Sequence, residues 1–215
     1  MLTIEEAEKV PDSYCREHFP VRFERAGRYR FREDQLRCIG AGVLLSRILG
    51  IQEEELVYGP YGKPSCPSCG KEFSLSHSGR YILLAVNDCP VGADIEKIRE
   101  APLPVARRVL LPEELEWMQK DTAGRDERFY RLWTMKESVM KAFGRGFSLP
   151  PESFGVLPLL NTGAGRVEGT DLRGYSEVID GYAVGLCTAE QAEGQDTGPE
   201  TVQYSVSGDP ELRKC

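Results

Sequence analysis

Residues 33–49 read EDQLRCIGAGVLLSRIL, in which Leu36, Ile39, Val43 and Leu44 recur at helical spacing. That period puts them on one side of an amphipathic helix, with Gly50 as its stop. Gly40 and Gly42 weaken the helix slightly but allow close packing. The pattern then shortens. YILLAVN (81–87) and VGADIE (91–96) are compact apolar runs separated by Asp88-Cys89-Pro90, which predicts two strands joined by a tight turn. Leu110–Lys120 returns to a helical pattern, with Pro112 suited to the first turn.

The longest periodic run is Asp126–Phe143, DERFYRLWTMKESVMKAF, ended by Gly144. Its apolar stripe is Leu132, Met135, Val139 and Phe143, with Trp133 and Met140 at the edge. GRGFSLPPESFGV follows as loop leading into strand. RVEGT (166–170), GYSEVI (174–179), GYAVGLCT (181–188) and TVQYSV (201–206) are short strands in this reading.

Helix and strands are thus followed by helices and strands again. The recurrence suggests two halves of about 100 residues each, 1–90 and 91–215, meeting near Asp88–Val91. No sequence repeat relates them, and the fold class expected is α+β.

Composition narrows the function. The 215 residues are 40% hydrophobic and 28% charged, as in an ordinary globular protein. No apolar run approaches the roughly 20 residues that cross a bilayer. The acidic opening MLTIEEAEKV has no secretory pattern, so a cytoplasmic protein is expected. A net charge of −7 argues against nucleic acid as partner. It leaves room for a small anion, because arginines cluster between Arg22 and Arg37 and a few cations act locally. Seven scattered cysteines in such a chain are expected to be reduced thiols. Cys66 and Cys69, in YGKPSCPSCGKEFSLSHSGRY (61–81), look like half of a zinc site and would need a second pair of ligands.

Three groups carry candidate chemistry. Asp94 and Glu96 stand two apart in a strand, so both carboxylates face one way. They repel unless solvated, paired with cations or bridged by a metal. Glu137 falls just past the apolar edge of its helix, with Lys141 one turn on, where a surface ion pair is the plainer reading. Lys136 projects from the middle of the apolar stripe and must snorkel or meet a carboxylate. Ser76-His77-Ser78 brings hydroxyls, an imidazole and backbone amides together, a set suited to phosphate, with Lys63 nearby in sequence.

YGKP, FSLSHS, VGADIE and FYRLWTMKESVMKAFGRG stand in the order and approximate spacing of the Sfp-type 4′-phosphopantetheinyl transferases, which this chain resembles from about Arg22 to Val156. D-x-E followed by W-x-x-K-E-x-x-x-K is specific in combination. The resemblance implies two similar α/β subdomains in a pseudo-twofold arrangement, acting as a monomer. It implies binding of coenzyme A with Mg2+, transfer of the phosphopantetheine arm to a serine of an acyl- or peptidyl-carrier protein, and release of adenosine 3′,5′-bisphosphate. Carried over by motif, Asp94, Glu96 and Glu137 are magnesium ligands. Glu137 is the candidate base for the carrier serine, and Lys141 adds positive charge at the pyrophosphate. Ser76, His77 and Lys63 are implied contacts of the coenzyme A phosphates. Arg22, Arg25 and Arg37 match basic positions around the 3′-phosphate, the first two replacing lysine. Two departures stand out: the segment before Arg22 lacks a clear opening strand, and Cys38 stands where a small hydroxyl residue is expected. The competing readings are a zinc-stabilised or redox-active interaction protein built on Cys66 and Cys69, and a coenzyme A-binding module without activity. Retention of all three carboxylates argues against the latter.

Overall fold

The computed structural model describes residues 1–190. A two-residue strand β1 (Leu2–Thr3) leads into helices α1 (Ile4–Glu8), α2 (Asp12–His18), α3 (Pro20–Ala26) and α4 (Arg32–Leu44). A small ladder of β2 (Val57–Tyr58) with β3 (Pro64–Ser65) precedes the hairpin of β4 (Glu72–Ser78) and β5 (Tyr81–Asn87). Then come β6 (Val91–Lys97), α5 (Leu103–Val109), α6 (Pro112–Met118), α7 (Arg125–Phe143) and α8 (Leu157–Thr162). Strands β7 (Ala164–Val167), β8 (Thr170–Ile179) and β9 (Tyr182–Ala189) close the described chain.

The fold is α+β, and its connectivity occurs twice. Each set of elements opens on a strand, crosses through helices and ends on a hairpin whose last strand pairs antiparallel with the opening one. The sheet orders are β1-β5-β4 and β6-β9-β8-β7. Between the two sheets lies an apolar seam of Tyr81 and Leu83 from β5, Ala93 and Ile95 from β6, and Tyr182 and Val184 from β9.

The structure corrects several local expectations. An opening strand does exist, although only two residues long: Leu2 and Thr3 pair with Ile82 and Tyr81. A strand that short has no alternation to read. The turn at 88–90 joins strands of two different sheets rather than one hairpin. RVEGT is not one strand: Arg166 and Val167 end β7 and Thr170 opens β8, because Glu168 (φ 48°) and Gly169 (φ 82°) are both left-handed and reverse the chain between them. The first helix ends its α-helical part at Leu44, and a π-turn over Leu45–Leu49 carries it to Gly50, which caps it at φ 66°. Helices α1–α3, α5 and α8 were not anticipated; at five to seven residues each they are too short for a period to show. TVQYSV lies outside the described residues.

Helix α7 lies across β6 and β9, and two glycines set how close it comes. A Cβ on Gly92 would stand 1.8 Å from the Ser138 carbonyl oxygen and 2.4 Å from the Ala142 nitrogen. One on Gly185 would stand 2.6 Å from the Thr134 carbonyl oxygen. The same helix buries Lys136 completely. Its ammonium pairs with Glu114 at 2.8 Å and donates to the carbonyls of Pro151 at 2.8 Å and Phe154 at 2.6 Å. Glu114 in turn accepts from the backbone of Leu111 and Val156. The lysine met a carboxylate, as its place in the stripe required, and so ties α6, α7 and the 151–156 segment together. Removing one partner of such a pair costs more than the pair contributes, because the other charge stays buried.

Cys66 and Cys69 build a tight turn. Cys69 N–H donates to the Cys66 carbonyl at 3.3 Å, Cys66 bridges to Lys71, and the buried Cys66 packs with Leu45, Ile51, Leu56 and Phe73. Among the described residues no third acidic, histidine or cysteine side chain joins them as a metal ligand. No helix among them is long and apolar enough to cross a membrane.

Candidate active site

Alternation in β4 places Ser74, Ser76 and Ser78 on one side, and that side faces β6. The two strands are in different sheets, and serine hydroxyls replace the missing backbone ladder. Ser74 accepts from Ala93 N–H at 3.0 Å, Ser76 from Ile95 N–H at 3.4 Å, and Ser78 from Lys97 N–H at 3.1 Å. Two of these hydroxyls also donate to the carboxylates between them. Ser76 reaches Asp94 Oδ1 at 2.6 Å, and Ser78 reaches Glu96 Oε2 at 2.7 Å.

These carboxylates open onto a cleft of about 600 Å³. Asp94, Glu96, Glu137 and Lys141 line it, together with Trp133. Lys141 donates to Asp94 Oδ1 at 2.6 Å, so the lysine bonds Asp94 of β6 as well as lying one helical turn from Glu137. Asp94 is 4% exposed, and its Oδ2 is buried without a hydrogen-bond partner. A charged oxygen left bare in this way is costly unless something cationic fills the gap.

Electrostatics agree with that picture. Burial, with Asp94 and then Glu96 adding to it and Lys141 opposing it, pushes the Glu137 carboxyl up to about 7. Glu96 also lies above its ordinary value, raised first by burial and then by Asp94, against the hydrogen bond from Ser78. The consequence for stability follows in sign. An unfolded glutamate ionises near 4.5, while folded Glu137 holds its proton to about 7, so the folded protein loses stability as pH rises between those values. Glu137→Gln removes this penalty. It is expected to raise stability by about 1–3 kcal/mol at pH 8 in metal-free buffer, the gain fading towards pH 4.5. Thermal melts of both proteins across pH test this, and a gain independent of pH would contradict it.

The same cleft is lined by Arg22, Arg25 and Arg37, and by Tyr58, Cys38 and Ala41. Glu53, behind them, accepts from Arg22 Nε and from Arg25 at 2.6 Å each and from the Tyr58 hydroxyl at 2.7 Å. Arg37 bonds Asp34 at 2.7 Å, Glu33 at 2.8 Å and the Gly79 carbonyl at 2.8 Å. The Cys38 thiol donates to the Arg22 carbonyl at 3.6 Å, which keeps it in the wall. Ser76 and the exposed His77 line the same cleft.

Of the site residues carried over by motif, all but one therefore line one cavity. The exception is Lys63. It donates to the Val91 carbonyl at 3.1 Å and the Ala142 carbonyl at 3.5 Å, and lies 3.7 Å from Glu72, so it joins the start of β6 to the end of α7 outside the cleft lining. Glu53 and Tyr58 were missed. The S-x-S-x-S alternation of 74–78 carried a signal for Ser78; Glu53 sits in the run QEEEL, which reads as a solvated face.

Comparison with known proteins agrees with the motifs. Residues 90–187 match the family model of the 4′-phosphopantetheinyl transferase superfamily. The 4′-phosphopantetheinyl transferase Sfp of Bacillus subtilis (strain 168) is 34% identical over 184 residues, covering 79% of this chain and 81% of that protein. The transferase ffp of Bacillus subtilis is 32% identical over 180 residues, covering 77% of this chain and 80% of that one. The 4′-phosphopantetheinyl transferase AcpT of Salmonella typhi is 41% identical over 108 residues, covering 47% of this chain and 55% of its own. Identity of this extent, over most of both chains, places this protein in the 4′-phosphopantetheinyl transferase superfamily as a transferase of the Sfp type.

Proposed function

We propose that this transferase moves the 4′-phosphopantetheine group of coenzyme A onto a serine hydroxyl of an acyl- or peptidyl-carrier protein, with magnesium, and releases adenosine 3′,5′-bisphosphate. The observation that carries the reading is the single cleft lined both by the carboxylates with Lys141 and by three arginines. Coenzyme A has the matching layout: a pyrophosphate at which the bond breaks and a separate 3′-phosphate.

The donor set fits magnesium. All three candidate ligands offer oxygen, and Asp94 Oδ2 is buried and unpartnered. Among the described residues no three such side chains form a ready-made metal cluster. Magnesium is commonly held by one or two carboxylates, with substrate phosphates and water completing its shell. Asp94 and Glu96 are the ligands proposed from β6, and Glu137 from α7. When bound, the cation supplies charge neutralisation at the phosphate oxygens.

The chain's own groups do the rest. Lys141, held by Asp94, places a positive charge where charge builds up on the pyrophosphate. Glu137, once deprotonated, accepts the proton of the attacking serine hydroxyl directly or through one water. Ser76 and His77 flank the phosphates. Arg22, Arg25 and Arg37 meet the 3′-phosphate. Lys63 acts at one remove, fixing β6 against the end of α7. One copy of the chain supplies every residue named, so the working unit proposed is a monomer with its halves divided at 90/91. The six described cysteines are all free, as a reducing cytoplasm would keep them.

The test is to incubate the protein with coenzyme A, Mg2+ and several apo carrier proteins, and to weigh each carrier by mass spectrometry. A mass gain of one phosphopantetheine is the expected result. No gain on any carrier overturns the reading.

A further inference from the structure

The arginines that line the cleft are not a store of free positive charge. Three guanidinium groups there face three carboxylates: Glu53 takes Arg22 and Arg25, while Asp34 and Glu33 take Arg37. The carboxylates differ in kind. Glu33 and Asp34 are exposed at the side chain, 67% and 41%, and water and salt screen them. The Glu53 side chain is 7% exposed, and the Arg22 side chain 10%. Their attraction is screened far less, and a third short bond, from Tyr58, fixes the carboxylate in place. Burial alone would raise Glu53, but Tyr58, Arg22 and Arg25 outweigh it and hold the carboxyl below its ordinary value. It stays charged at neutral pH.

The placement matters as much as the pairing. Arg22, Arg25 and Tyr58 line the cleft, while Glu53 stands behind all three. The carboxylate therefore sets both the orientation of these cleft-facing groups and the net charge they offer a ligand. Strong discrimination for a polar group arises when its absence leaves buried site groups unpaired; rejection then reaches about 10⁴–10⁵-fold. Here the absence of a ligand anion leaves Arg22 and Arg25 paired.

We propose that Glu53 is a specificity-setting positioning residue. Its carboxylate acts as a built-in counter-anion for the arginine subsite, so that the enzyme distinguishes only weakly between coenzyme A and 3′-dephospho-coenzyme A. This rests on the function proposed above. The pyrophosphate must lie at Asp94 and Lys141 for the reaction, which leaves the cleft-lining arginines to the 3′-phosphate. A ligand without that phosphate finds Arg22 and Arg25 already satisfied. A ligand with it must share them with Glu53 and gains correspondingly little.

Two readouts test the proposal separately from the reaction itself. Calorimetric titration of each donor into the full-length protein, without carrier, gives the affinity ratio. Turnover of each donor with one apo carrier and Mg2+ gives the ratio of kcat/KM. Both ratios are expected within about tenfold for the wild type, set against the far larger rejection of a site left unpaired. Glu53→Gln removes the counter-charge while keeping the shape, and is expected to raise the preference for coenzyme A to about 100-fold or more. Buried Arg22 loses its partner in that variant, so a thermal melt accompanies it; the wild-type ratio needs no variant. A wild-type preference above about 1,000-fold overturns the proposal, as does an unchanged ratio in folded Glu53→Gln. Binding with a weak preference but no transfer to any carrier upholds the role of Glu53 in binding and overturns the reaction. Failure of either donor to bind overturns both.

Discussion

Asp94→Asn is expected to keep the fold and lose transferase activity by about 10²–10³-fold, the loss typical when one preorganised electrostatic group is removed. Asp94 does two things no neutral side chain does. Its Oδ1 accepts from Ser76 and from Lys141, and its Oδ2 presents a bare charge in the cleft wall. Asparagine keeps the size but not the charge, so Lys141 loses its ion pair and the oxygen set loses its most buried member. Stability moves the other way. Asp94 is the largest of the neighbouring charges that push Glu137 upward, and removing it relieves that repulsion. The melting temperature is therefore expected to hold or rise while kcat/KM collapses, and extra Mg2+ to recover little. Steady-state transfer assays across Mg2+ concentration, with a melt alongside, decide it. Activity within threefold of wild type would remove Asp94 from the site.

Gly92→Ala is expected to be the most destabilising single methyl added to the site. The new Cβ would fall 1.8 Å from the Ser138 carbonyl oxygen and 2.4 Å from the Ala142 nitrogen. Both are backbone atoms in the last turns of α7, so no side chain can swing aside. Either the helix lifts from β6 or the strand bends away. Overpacking a filled core costs about 1–3 kcal/mol and occasionally more, and a clash with backbone belongs at the upper end. A loss of about 3 kcal/mol lowers the melting temperature of a chain this long by roughly 6–12 °C. Activity should fall with it even below the melt, because the same displacement separates Glu137 and Lys141 from Asp94. Gly59→Ala is the control: the nearest atom to its Cβ is the Lys63 carbonyl oxygen at an ordinary 3.6 Å, and its change should stay within about 0.5 kcal/mol. Equal melting temperatures for the two variants would mean that α7 does not depend on the missing Cβ.

Much of this was legible in local pattern. The stripe of Leu132, Met135 and Val139 fixes which face of α7 is buried, and all three are fully buried. Gly50 and Gly144 stop their helices in the left-handed conformation that glycine adopts most readily. Asp94 and Glu96 line one cleft because strand geometry sends alternate side chains the same way. Lys136 announced its need for a carboxylate through burial cost alone, although only the folded chain names Glu114. What failed locally did so for stated reasons: the short helices α1–α3 carry no measurable period, and two left-handed residues turned RVEGT from a strand into a reversal.

The sequence by itself determined the helical stripe of α7, the alternation of β4 and β6 and the oxygen-rich chemistry of D-x-E with K-E-x-x-x-K, since each depends on residues within one or two turns of each other. Only the tertiary structure decided which charges are free. Lys63 was drawn to the backbone of β6 and α7, Ser78 to Glu96, and Arg22 and Arg25 to Glu53, across separations of 18 to 79 residues. Pairing at that range is set by how the two halves pack, and charge strength by how far packing excludes water. Neither quantity is written in the order of the residues.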